Sequence, residues 1–286
     1  MQRPNNTTEG KVDYEYVLTE KKGRIGYVIL NRPRKLNALN KPFVREIVDA
    51  LESMDADGDI RVIVIKGNGR AFTVGADLSP DQEERTSDVT TAYDYKKVTR
   101  VWRDAGVVIR GLSKPTIVQV HGYFFAGATD LFLHCDFIIA AEDAQIGCPD
   151  VKGMQSVLTH MWTYLVGPQW AKYVLLTGDN IDGKTAERIG LTFKSVPGDE
   201  LEAEVDALAQ KMALIPLDFL EPNKSLVNKV IDNMGFAASQ RLAVENSAFT
   251  HLAPDVRKFY EISEKEGLKA ALAWRAETYG GIKKDG

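Results

Sequence analysis

Val118 to Asp150 reads VQVHGYFFAGATDLFLHCDFIIAAEDAQIGCPD, and most of the fold can be argued from it. Pro115 to Val120 is a short apolar run of buried-strand type. A run of small and aromatic residues follows, Gly122 to Thr129, then an apolar helical stretch around His134 and Cys135, then a second strand signal at Phe137 to Ala141. Strands that recur with helices between them require crossover connections, and crossovers imply a mainly parallel sheet. Two acids stand out: Asp130 directly follows the small-residue run, and Asp150 follows Gly147-Cys148-Pro149. Carboxylates that reach one pocket can divide acid and base roles when their surroundings push their pKa values apart.

Upstream, Tyr14 to Leu18 and Arg24 to Leu30 read as strands around a turn at Lys21-Lys22-Gly23. The spacing then predicts a helix from Lys41. Asn40 supplies a cap, and Phe43, Val44, Ile47, Val48, Leu51 and Met54 form one apolar stripe. A strand is expected at Arg61 to Ile65 and a helix from about Thr91 to Leu112. Between them, Ser79 to Asp88 is charged and non-periodic and reads as a surface loop. After Pro197 the strand signal stops, and helices are predicted over Asp199 to Leu214, Asp218 to Met234, Phe236 to Leu252 and Asp255 to Trp274. The division is therefore an expected disordered tail over residues 1–11, an α/β core over 12–197 and a helical region over 198–286. Apolar faces left over in that region are expected to pack on the core or on another subunit.

With 286 residues, 44% hydrophobic and 27% charged, the chain can bury a large core. A net charge of −4 with scattered basic residues argues against nucleic acid as a partner. Two cysteines, Cys135 and Cys148, make a disulfide framework unexpected and favour a reducing compartment. The polar start reads as a disordered tail rather than a signal peptide, and no apolar run approaches the roughly 20 residues of a membrane span. A cytoplasmic protein is the expectation. The four histidines show no metal-ligand spacing. His134 reads as a packed core residue, and His160, close to Asp150 in sequence, is a weaker pocket candidate. Met161, Trp162 and Tyr164 read as core, or as the wall of an acyl tunnel.

Four blocks, in this order and spacing, resemble the crotonase (enoyl-CoA hydratase/isomerase) superfamily: ILNRPRKLNALN at Ile29 to Asn40, GRAFTVGADL at Gly69 to Leu78, the opening stretch at Val118 to Asp150, and YVLLTGDNIDGKTAERIGLTFKSVP at Tyr173 to Pro197. The likeness covers roughly residues 12 to 275. It implies an α/β spiral of repeated ββα units, a helical C-terminal region that builds a trimer or a dimer of trimers, and a coenzyme A thioester as substrate with no permanently bound cofactor. It also implies an oxyanion hole from the backbone N–H groups of Ala76 and Gly127, and a coenzyme-binding set of Arg34, Lys35, Leu36, Ala38, Asp77 and Leu78. Of the two cations, one is expected to meet a phosphate. Asp130 and Asp150 align with the two glutamates that hydratases use to activate water and deliver a proton.

The residues by themselves leave other roles open. Gly75 and Gly127 could be turn glycines, Arg34 and Lys35 an exposed basic turn, Asp130 a helix cap and Asp150 a solvated acid. The chain also departs from the family pattern. Aspartate retracts each carboxylate by about 1.5 Å, and misplacing a catalytic group by about 1 Å can cost about a hundredfold. A glycine-rich segment of the hydratases is replaced by Val151 to His160, which adds bulk beside the acyl pocket, and Ala271 and Trp274 stand where an aromatic residue and a lysine are usual. Hydration of a 2-enoyl-CoA by the Asp130/Asp150 pair is the leading expectation. Enoyl-CoA isomerisation or epimerisation by one carboxylate and C–C hydrolysis of a β-diketone-like thioester are the other chemistries. A non-enzymatic acyl-CoA or RNA binder is the remaining class.

Overall fold

The structure, a computed structural model, describes residues 13–79 and 89–281. The predicted tail over 1–11 and nearly all of the predicted loop at Ser79 to Asp88 lie outside the described residues. A six-stranded sheet forms the core, in the order β1 (Val17–Lys22), β2 (Ile25–Leu30), β3 (Val62–Gly67), β4 (Thr116–Val120), β6 (Phe137–Ala141) and β8 (Lys194–Val196). β1 and β2 form an antiparallel hairpin and every later pair is parallel. β2 is buried along its whole length, and four residues of β3 are buried. Such continuous apolar runs are what a parallel sheet covered on both faces requires. The first strand starts three residues later than the sequence suggests, because pairing Val17 with Leu30 and Lys22 with Ile25 leaves a tight turn at Gly23 and Arg24.

α1 (Lys41–Ala56) begins where Asn40 accepts a hydrogen bond from the Phe43 N–H, and it buries Phe43, Val44, Ile47 and Leu51. The predicted helix Thr91 to Leu112 is two: α2 (Ala92–Val98) and α3 (Arg100–Gly111). At the break the Thr99 hydroxyl donates to the Tyr95 carbonyl (2.8 Å), the back-bonding that bends helices. A small parallel pair, β5 (Tyr123–Phe125) and β7 (Gln145–Gly147), lies outside the main sheet. Sequence reading missed both strands, since three residues carry too little periodicity. α4 (Gly127–Phe132) follows β5, and α5 (Met161–Thr177) and α6 (Gly183–Arg188) lead into β8.

α7 (Leu201–Ala213), α8 (Leu217–Asn233) and α9 (Phe236–His251) follow as expected. α8 buries none of its residues. Polar contacts hold it to the core: Lys224 pairs with Asp136 (2.8 Å) and Arg110 pairs with Asp232 (2.8 Å). Its Phe219, Leu226, Val227 and Val230 stay exposed. The last predicted helix is also two, α10 (Pro254–Glu266) and α11 (Leu268–Tyr279), parted at Gly267, whose φ of +91° suits glycine. This hairpin packs against Met154 through Phe259 and Ala271. Among the described residues no helix is long and apolar enough to cross a membrane.

Candidate active site

Two loops at one end of the sheet meet around Asn37. Its side chain is fully buried: Nδ2 donates to the carbonyls of Asn68, Ala71 and Phe72 (each 3.0 Å), and Oδ1 accepts from the Arg32 N–H (2.7 Å). One amide thus ties the turn after β2 to the loop after β3. That loop continues as Thr73 to Asp77, which bridges to Leu39 on one side and to Phe124 in β5 on the other. Replacing Asn37 with Ala strands several buried polar groups, each worth about 1–3 kcal/mol. The N37A protein is therefore expected to lose on the order of 3 kcal/mol or more in urea unfolding. A loss under about 1 kcal/mol would contradict this account.

The same lattice sets two backbone N–H groups side by side. The Leu39–Ala76 bridge uses the Leu39 N–H on the Gly75 carbonyl and the Asp77 N–H on the Leu39 carbonyl, and so leaves the Ala76 N–H out of the pairing. The Gly127 N–H is the first of α4 and has no intrahelical acceptor. A Cβ built on Gly127 would lie 4.0 Å from the Ala76 nitrogen, so the two groups are neighbours. Two glycine-like conformations permit this approach. Gly75 has φ +90°, and Ala126, before Gly127, has φ +54°.

Both nitrogens belong to residues lining a cavity of about 1220 Å³. Arg34, Lys35, Leu36, Ala38, Asp77 and Leu78 line it as well. Arg34 and Lys35 are exposed. The Asp77 carboxylate is committed elsewhere. It pairs with Arg32 and Lys35 and accepts from the Ser79 N–H and hydroxyl. Burial works to raise its pKa, but the Ser79 and Arg32 hydrogen bonds outweigh it and hold the carboxyl below its usual range.

The two acids differ in placement. Asp150, in the turn Pro149–Val151, lines the cavity and is 5% exposed. One of its oxygens is 3.4 Å from Gln155 Nε2, and the other has no hydrogen-bond partner among the described residues. Burial pushes its pKa up to about 6, against the Gln155 hydrogen bond and the positive charge of Arg275. Asp130, in α4, is equally buried but is not among the wall residues. Its Oδ2 accepts from the N–H of Leu158, which is a wall residue. Burial first, then the charge of Asp150, raises the Asp130 pKa well above its usual value, against the Leu158 hydrogen bond. The pair thus divides into an acid behind the wall, whose protonated form burial and the neighbouring charge both favour, and an acid in the wall whose pKa of about 6 leaves it largely ionised at neutral pH.

Several wall residues were invisible to sequence reading. The Tyr95 hydroxyl donates to Gln155 Oε1 (2.9 Å), which turns the amide so that its NH2 faces Asp150. The α10–α11 hairpin contributes Tyr260, Leu268, Leu272 and Arg275. The last three recur at helical spacing, a signal present in the sequence but indistinguishable there from a core-facing stripe. Ala271 is buried against Met154 and Phe259, and Trp274 packs edge-on to Tyr279. Neither lines the cavity. His134 lies in the core beside Gly106 and Phe236, where burial lowers its pKa to about 4. His160 precedes α5 and does not line the cavity. Met161 and Trp162 are core, and Tyr164 packs against it.

Comparison with known proteins gives this geometry a family. The family model for enoyl-CoA hydratase/isomerase matches residues 20–269. A crotonyl-CoA hydratase of Syntrophomonas wolfei is 30% identical over 270 residues, covering 93% of this chain and 98% of that protein. A probable enoyl-CoA hydratase of Mycobacterium tuberculosis is 32% identical over 271 residues, covering 93% and 98%. Among solved structures, an enoyl-CoA hydratase/isomerase from Xanthobacter autotrophicus Py2 superposes with a TM-score of 0.86 at 29% identity over 93% of this chain and 98% of that one. An enoyl-CoA hydratase from Mycobacterium smegmatis gives 0.84 at 29%, over 93% and 96%. The chain belongs to the enoyl-CoA hydratase/isomerase family, within the crotonase superfamily, and has that fold.

Proposed function

We propose that the protein hydrates a 2-enoyl-CoA thioester. The observation that carries this reading is the Asp150 carboxylate in the wall of the same cavity as the adjacent N–H groups of Ala76 and Gly127. The thioester oxygen accepts both N–H groups, which stabilise the negative charge it gains when C3 is attacked. Asp150, ionised at neutral pH, takes a proton from water as the water oxygen bonds to C3. The proton then passes to C2 as the enolate collapses, so one water is added and the carboxylate is regenerated. Asp130, behind the wall, holds the Leu158 segment through that residue's N–H, so the work expected of two acids falls mainly on one. Arg34 or Lys35 meets a coenzyme phosphate at the exposed mouth. The substrate is then the only coenzyme, and none is held permanently.

The exposed apolar residues of α8 and the neighbouring Leu214, Leu242 and Phe249 suit burial against further copies of the chain, a trimer or a dimer of trimers. A cytoplasmic setting, where acyl-CoA thioesters and reduced cysteines coexist, completes this reading.

Because Asp150 acts as a base, kcat/KM on crotonyl-CoA is expected to fall as pH drops through about 6. Mass spectrometry in 18O-labelled water tests the reaction itself: one labelled oxygen should enter the product. A second reading, isomerisation between 2- and 3-enoyl-CoA by one carboxylate, is favoured by the placement of Asp130 behind the wall. Unlabelled product with a shifted double bond would replace hydration with that reaction.

A further inference from the structure

Arg275 is a charged residue of the cavity wall that hydration does not use. It lies on α11, lines the cavity and is partly buried. Its only hydrogen bond among the described residues is Nη1 to the thioether of Met154 (2.8 Å), a weak acceptor for a group with five N–H donors. No described carboxylate lies within salt-bridge distance of it. Burial lowers its pKa, and the charge of Asp150 only partly offsets that effect. Partly burying a guanidinium without an ion partner is costly, and such a group facing a cavity calls for an anion from the ligand.

Its position suggests which anion. Met154 donates its backbone N–H to the Asp150 carbonyl (3.0 Å), so Arg275 borders the loop that carries the reacting acid. The exposed cations suited to coenzyme phosphates, Arg34 and Lys35, belong to the separate turn after β2. If the thioester oxygen sits at Ala76 and Gly127 and C3 at Asp150, as the hydratase reading has it, then Arg275 belongs to the stretch of wall joined to Asp150 through Met154.

We infer that the natural acyl group carries a carboxylate beyond C3, recognised by the Arg275 guanidinium, so that the substrate class is the 2-enedioyl-CoA thioesters or their branched and cyclic equivalents. This deepens the hydratase reading and rests on its placement of the thioester. A planar carboxylate matches the guanidinium fork, and charged hydrogen bonds of this kind are worth about ten- to a hundredfold in binding.

The test uses trans-2-enedioyl-CoA thioesters of five to eight carbons and the 2-enoyl-CoA thioesters of the same lengths. The wild type is expected to favour at least one enedioyl thioester over its neutral partner by at least tenfold in kcat/KM. R275Q should lose at least ten times more on that thioester than on the neutral one, and R275K should recover part of the difference. Titration with the saturated, unreactive pairs reads the same preference as dissociation constants. It stands even if no hydration is found, in which case the hydratase reading alone falls. A wild type that favours the neutral member at every length would overturn the inference. So would an R275Q protein that loses equally on both members or binds free coenzyme A less tightly, since Arg275 would then face a coenzyme phosphate.

Discussion

The Asp150→Asn protein is expected to hydrate its substrate about a thousandfold more slowly than the wild type, within the range a positioned acid–base group contributes. Asparagine keeps the shape and the Gln155 contact but carries no exchangeable charge. The same substitution should make the fold more stable. The folded-state pKa of Asp150 is raised to about 6 from 3.8, so the folded protein binds the proton more tightly than the unfolded chain. Stability is therefore lost as pH rises from about 4 through about 6, by on the order of 2–3 kcal/mol, and neutral pH carries the full cost. D150N should remove that pH dependence and melt higher than the wild type at pH 7. Asp130→Asn should behave differently, because the side chain lies behind the wall and the asparagine oxygen can still accept from the Leu158 N–H. We expect a loss within about tenfold in kcat, well below the general acid–base range. Equal, thousandfold losses at both sites would show instead that Asp130 joins the proton transfer. D150E should also impair turnover, since the longer side chain crowds the reacting atoms in a site formed around aspartate. A gain in crotonyl-CoA hydration in the double Asp→Glu protein would overturn that adaptation.

Gly75→Ala should cost about a hundredfold in kcat with a much smaller change in KM, the scale of losing one oxyanion donor. A Cβ at Gly75 would sit 2.7 Å from the Phe125 carbonyl oxygen and 2.9 Å from the Ala126 Cβ, and the +90° φ is strained for any residue but glycine. The clash falls between the two segments that carry the Ala76 and Gly127 N–H groups, so relief must move one away from the other. Circular dichroism should show a folded protein, with a lowered melting temperature from the backbone strain. Wild-type kcat in a folded G75A protein would mean that the two N–H groups do not act on the reacting oxygen.

What could be learned from the chain alone was what local physics writes into neighbouring residues. Buried strands announced themselves as runs such as IGYVIL and VIVIKG, α1 by its Asn40 cap and apolar stripe, and the candidate oxyanion loops by small residues that let a backbone approach a ligand. The four ordered blocks then pointed to the family. Tertiary structure decided the rest, because it depends on what lies opposite each residue. The helix breaks at Thr99 and Gly267 were hidden inside continuous helical patterns. The Leu268, Leu272 and Arg275 stripe has one periodicity whether it faces a core or a cavity, and only the fold of α10–α11 over Met154 chose between them. Asp130 and Asp150 were alike as letters. Burial is common to both, but one lines the cavity while the other takes the N–H of Leu158 behind its wall, and that difference is set by residues far apart in the chain.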